Sequence, residues 1–195
     1  MSPNLIKWSG LSAMAGGVLW VLWAGGVQGI GWGEPGSAAY ERYELFNRLL
    51  PLAVLPVLAG FSGLHAAQRR SYGRLGAAGF AVVLVGFTII VAGSVGEFWV
   101  FSAQPYDGAG FARGVCWAIF LLGHPILAVG TVLFGVSTAR AGVFPREVAV
   151  MFAVLGVLVV VPFIGAVFFA IPFVWLGYLM YSGKHQSARQ ASRVG

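Results

Sequence analysis

Apolar residues in this chain come in long blocks separated by short polar connections. The blocks run from about Gly10 to Val27, Leu49 to Ala67, Leu75 to Phe101, Gly114 to Thr138 and Val148 to Tyr181. The last block is 34 residues long and holds no charged side chain. At ~1.5 Å of rise per residue a single helix of that length reaches about 50 Å, well beyond a hydrocarbon core of about 30 Å. A fold-back near Pro162 to Gly165 is therefore expected, giving two short helices and returning the chain to the side it left. The pattern predicts an all-α, polytopic integral membrane helical bundle over residues 1–183. Its six transmembrane helices fall at about 10–27, 49–67, 75–101, 114–138, 148–161 and 163–181, with a basic tail at 184–195. A single crossing by the last block, giving five helices, is the alternative.

The connections differ in character. Gln28 to Phe46 is polar and aromatic, with Trp32, Glu34, Pro35, Tyr40, Glu41, Arg42, Tyr43 and Glu44. It reads as the larger external loop, with a short surface helix over Ser37 to Phe46. Ser102 to Arg113 reads as a second external loop. Basic residues mark the other connections, and their count sets the topology. With six helices and both termini cytoplasmic, the inner face holds Lys7, Arg69, Arg70, Arg74, Arg140, Arg146, Lys184, Arg189 and Arg193, nine of the twelve basic residues. The outer face keeps Arg42, Arg48 and Arg113. Five helices would move the three tail charges outside and split the twelve evenly, so the positive-inside bias favours six. The run from Leu11 to Ile30 is long and has no clean signal-cleavage site, so it is expected to be retained as the first span.

Composition agrees with lipid as the solvent. Hydrophobic residues make up 58% of the 195 and charged residues only 9%, against about a quarter in soluble domains. Mean hydropathy is +0.84. The net charge of +6 would suggest nucleic acid in a soluble protein, but here it reports orientation in a membrane. The Arg-over-Lys bias and the Ala, Gly and Val excess point to a bacterial cytoplasmic membrane. One cysteine, Cys116, excludes an internal disulfide and a cysteine metal cluster.

Packing is expected to come from small residues, because lipid tails are as apolar as the helices themselves. Gly79, Gly86 and Gly93 recur every seven residues in the third span, and Cys116, Gly123, Gly130 and Ser137 do so in the fourth. A weak internal repeat also emerges. Three hairpins each open from a basic residue (Lys7, Arg74, Arg146), and each returning helix carries a proline, at Pro56, Pro125 and Pro172, followed by an apolar run.

Ionisable groups within spans are expensive and therefore candidates for function. Glu97 lies near the outer end of the third span, where Arg48 or Arg113 can reach it. His124 lies near mid-depth in the fourth, beside Pro125, which frees the Leu121 carbonyl four residues back. These two are the candidate acid/base pair. Each also has a plain structural reading: a Glu to Arg pair pinning helix ends, and a neutral histidine hydrogen-bonded to a backbone carbonyl or hydroxyl across a helix contact. Trp117, His124 and Thr131 fall seven apart on one face. With Trp99 and Arg113, Trp117 and Thr131 complete the candidate ligand-binding set. The outer aromatics form an interfacial belt or cap an outward cavity. No cofactor or metal is expected: His65 and His124 are placed at different depths, and no His-x-x-His, Glu-x-x-His or phosphate-loop motif occurs.

The leading expectation is binding or transport of a small apolar or amphipathic molecule between the third and fourth spans. An intramembrane isomerase or cyclase using Glu97 and His124 is the alternative, and a non-catalytic membrane subunit or scaffold is the third. Expected partners are membrane lipids and a lipophilic small molecule, not nucleic acid. Self-association into a homo-oligomer is compatible with the pattern.

Overall fold

The computed structural model describes residues 3–30, 36–102, 111–159 and 164–183, except for the side chains of 3, 28–30, 164–167 and 169. Every regular element among the described residues is helical: α1 (Pro3–Ile30), α2 (Ala38–Arg48), α3 (Leu50–Gln68), α4 (Gly73–Val95) with a π turn at Gly96–Val100, α5 (Phe111–Ala141), α6 (Arg146–Leu158) and α7 (Ile164–Ser182). Four stretches are long and apolar enough to cross a membrane, Asn4–Val27, Ala38–Gln68, Gly73–Val100 and Phe111–Ala141. The expected fold-back at Pro162, Trp32 and Glu34 of the first loop, Tyr106 of the second, and the tail charges lie outside the described residues. The first helix starts at Pro3, seven residues before the apolar block, because nothing between Pro3 and Gly10 breaks a helix once Pro3 has opened it.

Glycines set the contacts. A side chain at Gly79 would strike Phe134 and Leu133, one at Gly86 would strike Leu127, and one at Gly93 would strike Phe120 and Cys116. From the other side, Gly123 meets Ile90 and Gly86, and Gly130 meets Val83. The two seven-residue series thus form the two sides of one antiparallel α4/α5 seam in which backbones touch. The same device joins α1 to α3, through Gly16 on Pro56 and Val57, Gly60 on Ala13 and Gly63 on Ser9. It joins α1 to α7 through Gly10, Gly17 and Gly177, and α5 to α6 through Gly135 and Gly156.

This pattern divides the third of the three expected hairpins. α6 packs on α5 and α7 packs on α1, while α6 and α7 touch each other only lightly. The reason is compositional: the faces they turn to one another carry Val150, Val154, Leu158, Phe168, Ile171 and Pro172, bulky or kinking residues that leave a cleft of about 200 Å³. The bundle is therefore two triplets, α3–α1–α7 and α4–α5–α6. Phe61 of α3 locks them together, with ring centroids 6.1 Å from Phe87 (α4), 5.5 Å from Phe134 (α5), 5.3 Å from Phe152 (α6) and 5.1 Å from Phe173 (α7). Each of these five rings is fully buried. Edge-on aromatic contacts add about 0.5–1.5 kcal/mol apiece beyond the area they bury.

Antiparallel neighbours place the N-terminal ends of α1, α4 and α6 beside the C-terminal ends of α3, α5 and α7. Lys7, Arg69, Arg70, Arg74, Arg140 and Arg146 sit at that end. There the Gln68 amide donates to the Thr138 hydroxyl at 2.9 Å. α5 ends at Ala141, and Gly142 takes the left-handed conformation (φ +60) that closes a helix C-terminus.

Candidate functional site

At the opposite end, α2 continues the stretch begun by α3 backwards along the chain, with Phe46 against Gly26 of α1, and it packs on α4 and the π turn. Ser37 caps it by accepting from the Tyr40 N–H at 3.2 Å. Tyr40, Tyr43, Glu44 and Asn47 follow i, i+3, i+4, i+7 spacing and face the bundle, so the expected surface helix is half embedded. The join to α3 follows from Pro51. Proline has no N–H to offer the Asn47 carbonyl four residues back, and the Ser94 hydroxyl of α4 reaches that carbonyl at 3.4 Å. The Asn47 amide in turn donates to the Tyr43 carbonyl at 2.9 Å.

Glu97 stands on the π turn. The Phe101 N–H donates to the Gly96 carbonyl, five residues back, at 2.9 Å. This wide turn swings Glu97 and Phe98 inward and leaves Trp99 and Val100 exposed. π turns interrupt helices preferentially at functional sites. Glycine is needed at 96 because a Cβ would lie 2.5 Å from Cys116 Sγ. Glu97 is 1% exposed and acts electrostatically on Tyr43 of α2 and Cys116 of α5.

Arg113, 2% exposed, opens α5 into the same cluster. Its Nη2 donates to Glu44 Oε1 at 2.6 Å and its Nη1 to the Ser102 carbonyl at 3.1 Å. Its guanidinium carbon lies 6.0 Å from the ring centres of Tyr40 and Phe98. Arg48 donates from Nε to the Phe98 carbonyl at 2.9 Å, and its Nη2 lies 3.5 Å from Glu44 Oε2. Two arginines and two glutamates thus gather where α2 meets α5 and the π turn, and Glu44 is shared by both arginines. The sequence brought Arg48 and Arg113 to Glu97 as candidate partners but did not assign Glu44. The i, i+4 spacing of Glu44 and Arg48 was a readable signal, whereas the 69-residue separation of Glu44 and Arg113 offered none.

His124 is elsewhere. Gly96 abuts Cys116, and His124 is eight residues further along α5, roughly two turns or ~12 Å of axis. Its Nδ1 bonds the Phe120 carbonyl at 2.9 Å, and the Leu121 carbonyl released by Pro125 lies beside the same ring. The Phe120 ring packs edge-on at 4.7 Å. The imidazole therefore covers the break that its neighbouring proline makes. Thr131 donates to the Leu127 carbonyl of its own helix at 2.7 Å, and Trp117 is 37% and Trp99 58% exposed on the outside. The fourth-span face therefore splits, with Trp117 outward and His124 and Thr131 inward. Of the sequence candidates, Glu97 and Arg113 share one neighbourhood; His124, Thr131, Trp99 and Trp117 do not join it.

At the basic end, His65 stacks on Phe80 at 4.1 Å and hydrogen-bonds the Tyr72 hydroxyl, whose pKa burial pushes up. Among the described residues no three His, Cys, Asp or Glu side chains gather as metal ligands. Comparison of the chain with protein-family models, with curated proteins and with solved structures finds no match.

Proposed function

We propose that this chain crosses a bacterial cytoplasmic membrane six times, keeps both termini in the cytoplasm, and binds or moves a small amphipathic molecule at the outer end of α4 and α5. The observation that carries this reading is Glu97, buried on a π turn in the same cluster as Arg113, Glu44 and Tyr43 of the half-embedded α2. A charged cluster within a lipid-soluble bundle is costly, and such clusters occur where a polar group of a ligand is handled. The apolar surroundings of Phe98, Tyr40 and Tyr43 suit the hydrophobic part of the same molecule. The close backbone contact along the α4/α5 seam supports a site at the end of these helices rather than between them.

A second reading, a non-catalytic membrane subunit, draws support from the hydrogen bonds that His124, Thr131, Arg48 and Arg113 make within the protein. Native mass spectrometry of protein extracted in mild detergent separates the two. The binding reading expects an amphipathic adduct that Glu97→Gln weakens roughly tenfold, the value of about one charge-assisted hydrogen bond, with the melting curve little changed. Adduct-free protein, or an adduct indifferent to Glu97→Gln, leaves the subunit reading standing.

A further inference from the structure

The cleft of about 200 Å³ where α6 and α7 part shares no residue with the Glu97 cluster. Its walls are hydrocarbon and the Met151 thioether, and Val150, Val154, Phe168 and Ile171 on its rim are exposed. An apolar cavity of about 150 Å³ already takes up a molecule the size of benzene, so this one has room for a stretch of flexible chain. It does not suit a helix, which packs with axes roughly 8–10 Å apart and needs small residues at the contact. Gly156 of α6 and Gly177 of α7, which permit such approach, are already turned to α5 and α1.

The mouth of the cleft at the basic end is charged. Val150, Val154 and Leu158 follow one another at four-residue intervals on α6, and Arg146 begins the same row; Glu147 begins the next, ahead of Met151 and Leu155. Both charged residues are exposed, and neither forms an ion pair among the described residues. α6 starts after Pro145 without a side-chain cap, so its first N–H groups add positive potential at the same place. Arg146 stands one turn, about 6 Å, before Val150, and the interfacial layer of a bilayer is about 5–8 Å deep on each side of the hydrocarbon. Arg146 and Glu147 therefore fall at head-group depth when the cleft falls in the acyl region. From Val150 to Leu158 the cleft runs about 12 Å in the direction of the acyl chains.

We infer that the α6/α7 cleft holds one acyl chain of a membrane phospholipid, with the phosphate on Arg146 and an ammonium of the same head group on Glu147. A phosphoethanolamine head meets both charges. A phosphoglycerol head leaves Glu147 without a cation, and a choline has no N–H to donate to a carboxylate. The acyl chain fills the gap that α6 and α7 leave between the two triplets.

The test uses the full-length protein, delipidated in mild detergent and offered lipids with identical acyl chains: phosphatidylethanolamine, phosphatidylcholine, phosphatidylglycerol, and diacylglycerol, which lacks the phosphate. Native mass spectrometry counts what is retained. One phosphatidylethanolamine per chain is expected to be held about fivefold more tightly than diacylglycerol, the value of one arginine beside a charged head group. Arg146→Gln is expected to bring the two level, and Glu147→Gln to raise phosphatidylglycerol to the level of phosphatidylethanolamine. Val154→Trp, which fills the cleft, is expected to lower retention of all four lipids, whereas Val85→Trp on the exposed face of α4 leaves it unchanged. Retention that Val154→Trp does not lower, or that Val85→Trp lowers equally, overturns the inference. So does a dimer that Val154→Trp dissociates, because a second copy then covers the cleft. Phosphatidylglycerol held by the native chain as tightly as phosphatidylethanolamine, or a preference over diacylglycerol that survives Arg146→Gln, overturns the head-group assignment.

Discussion

Single residues in this protein are decided by backbone geometry as much as by their own chemistry. Pro51 and Pro125 each withhold an N–H from a carbonyl four residues back, and in each case a neighbouring polar side chain covers the gap: Ser94 reaches the Asn47 carbonyl, and His124 lies against the Phe120 and Leu121 carbonyls. The structural reading of His124 available from the sequence put its hydrogen bond across a helix contact; the bond instead stays within α5, where the neighbouring proline frees a carbonyl of the same helix. Glycines show the complementary effect. A Cβ on Gly86 would lie 2.7 Å from the Leu127 Cα and N, which are backbone atoms with nowhere to go. Gly86→Ala is therefore expected to cost about 1–3 kcal/mol, read as a lower midpoint of thermal unfolding in detergent. Gly25→Ala in α1, where nothing lies within 4 Å, serves as the contrast and is expected to be neutral or to gain up to ~1 kcal/mol from helix propensity. Equal effects at the two positions would mean that the seam is not close-packed.

Among the elements, α2 is the one whose stability is most local. Its mean hydropathy is low, it is 11 residues long, and it is held by Ser37 at its start and by Arg48, Glu44, Tyr43 and Asn47 on its inner face. Removing the cap by Ser37→Ala is expected to cost about 1 kcal/mol. Hydrogen exchange should then quicken over residues 38–48 while the α4/α5 seam keeps its protection. Exchange that accelerates equally in all helices would show instead that α2 unfolds only with the bundle. The short helix at this place was readable because Ser37 and the Tyr40, Tyr43, Glu44, Asn47 spacing are local signals. The π turn was not, since Gly96 to Val100 has no composition that separates it from the α-helix it extends; contact with α5 and α2 selects it.

For the molecule as a whole, the alternation of helix directions and the placement of charge converge. The described basic residues other than Arg42, Arg48 and Arg113 gather at one end of the bundle, and Glu41, Glu44 and Glu97 lie at the other. A carboxyl-terminal fusion to a reporter active only in the cytoplasm is expected to give full signal, and a fusion after Ser102 little or none. A silent carboxyl-terminal fusion would remove the six-crossing arrangement, and full signal from the fusion after Ser102 would place the α2 cluster on the wrong side for an extracytoplasmic ligand. The separation of α6 from α7 is also a property of the whole: each has a glycine-bearing partner elsewhere, so neither needs the other.

The sequence by itself determined the all-helical class with helices long and apolar enough to cross a membrane, and the two glycine series that make the α4/α5 seam. Those features depend on composition, proline and glycine positions, and spacing within a single helix, all of which are local along the chain. Tertiary structure alone decided that Phe61 is the hub of five rings, that α6 and α7 part company, and that Glu44 rather than a residue of the spans is the partner of Arg113. These outcomes depend on which helix faces are brought together across tens of residues, and in a bundle where nearly every face is apolar, only close backbone approach and the few buried charges distinguish one arrangement from another.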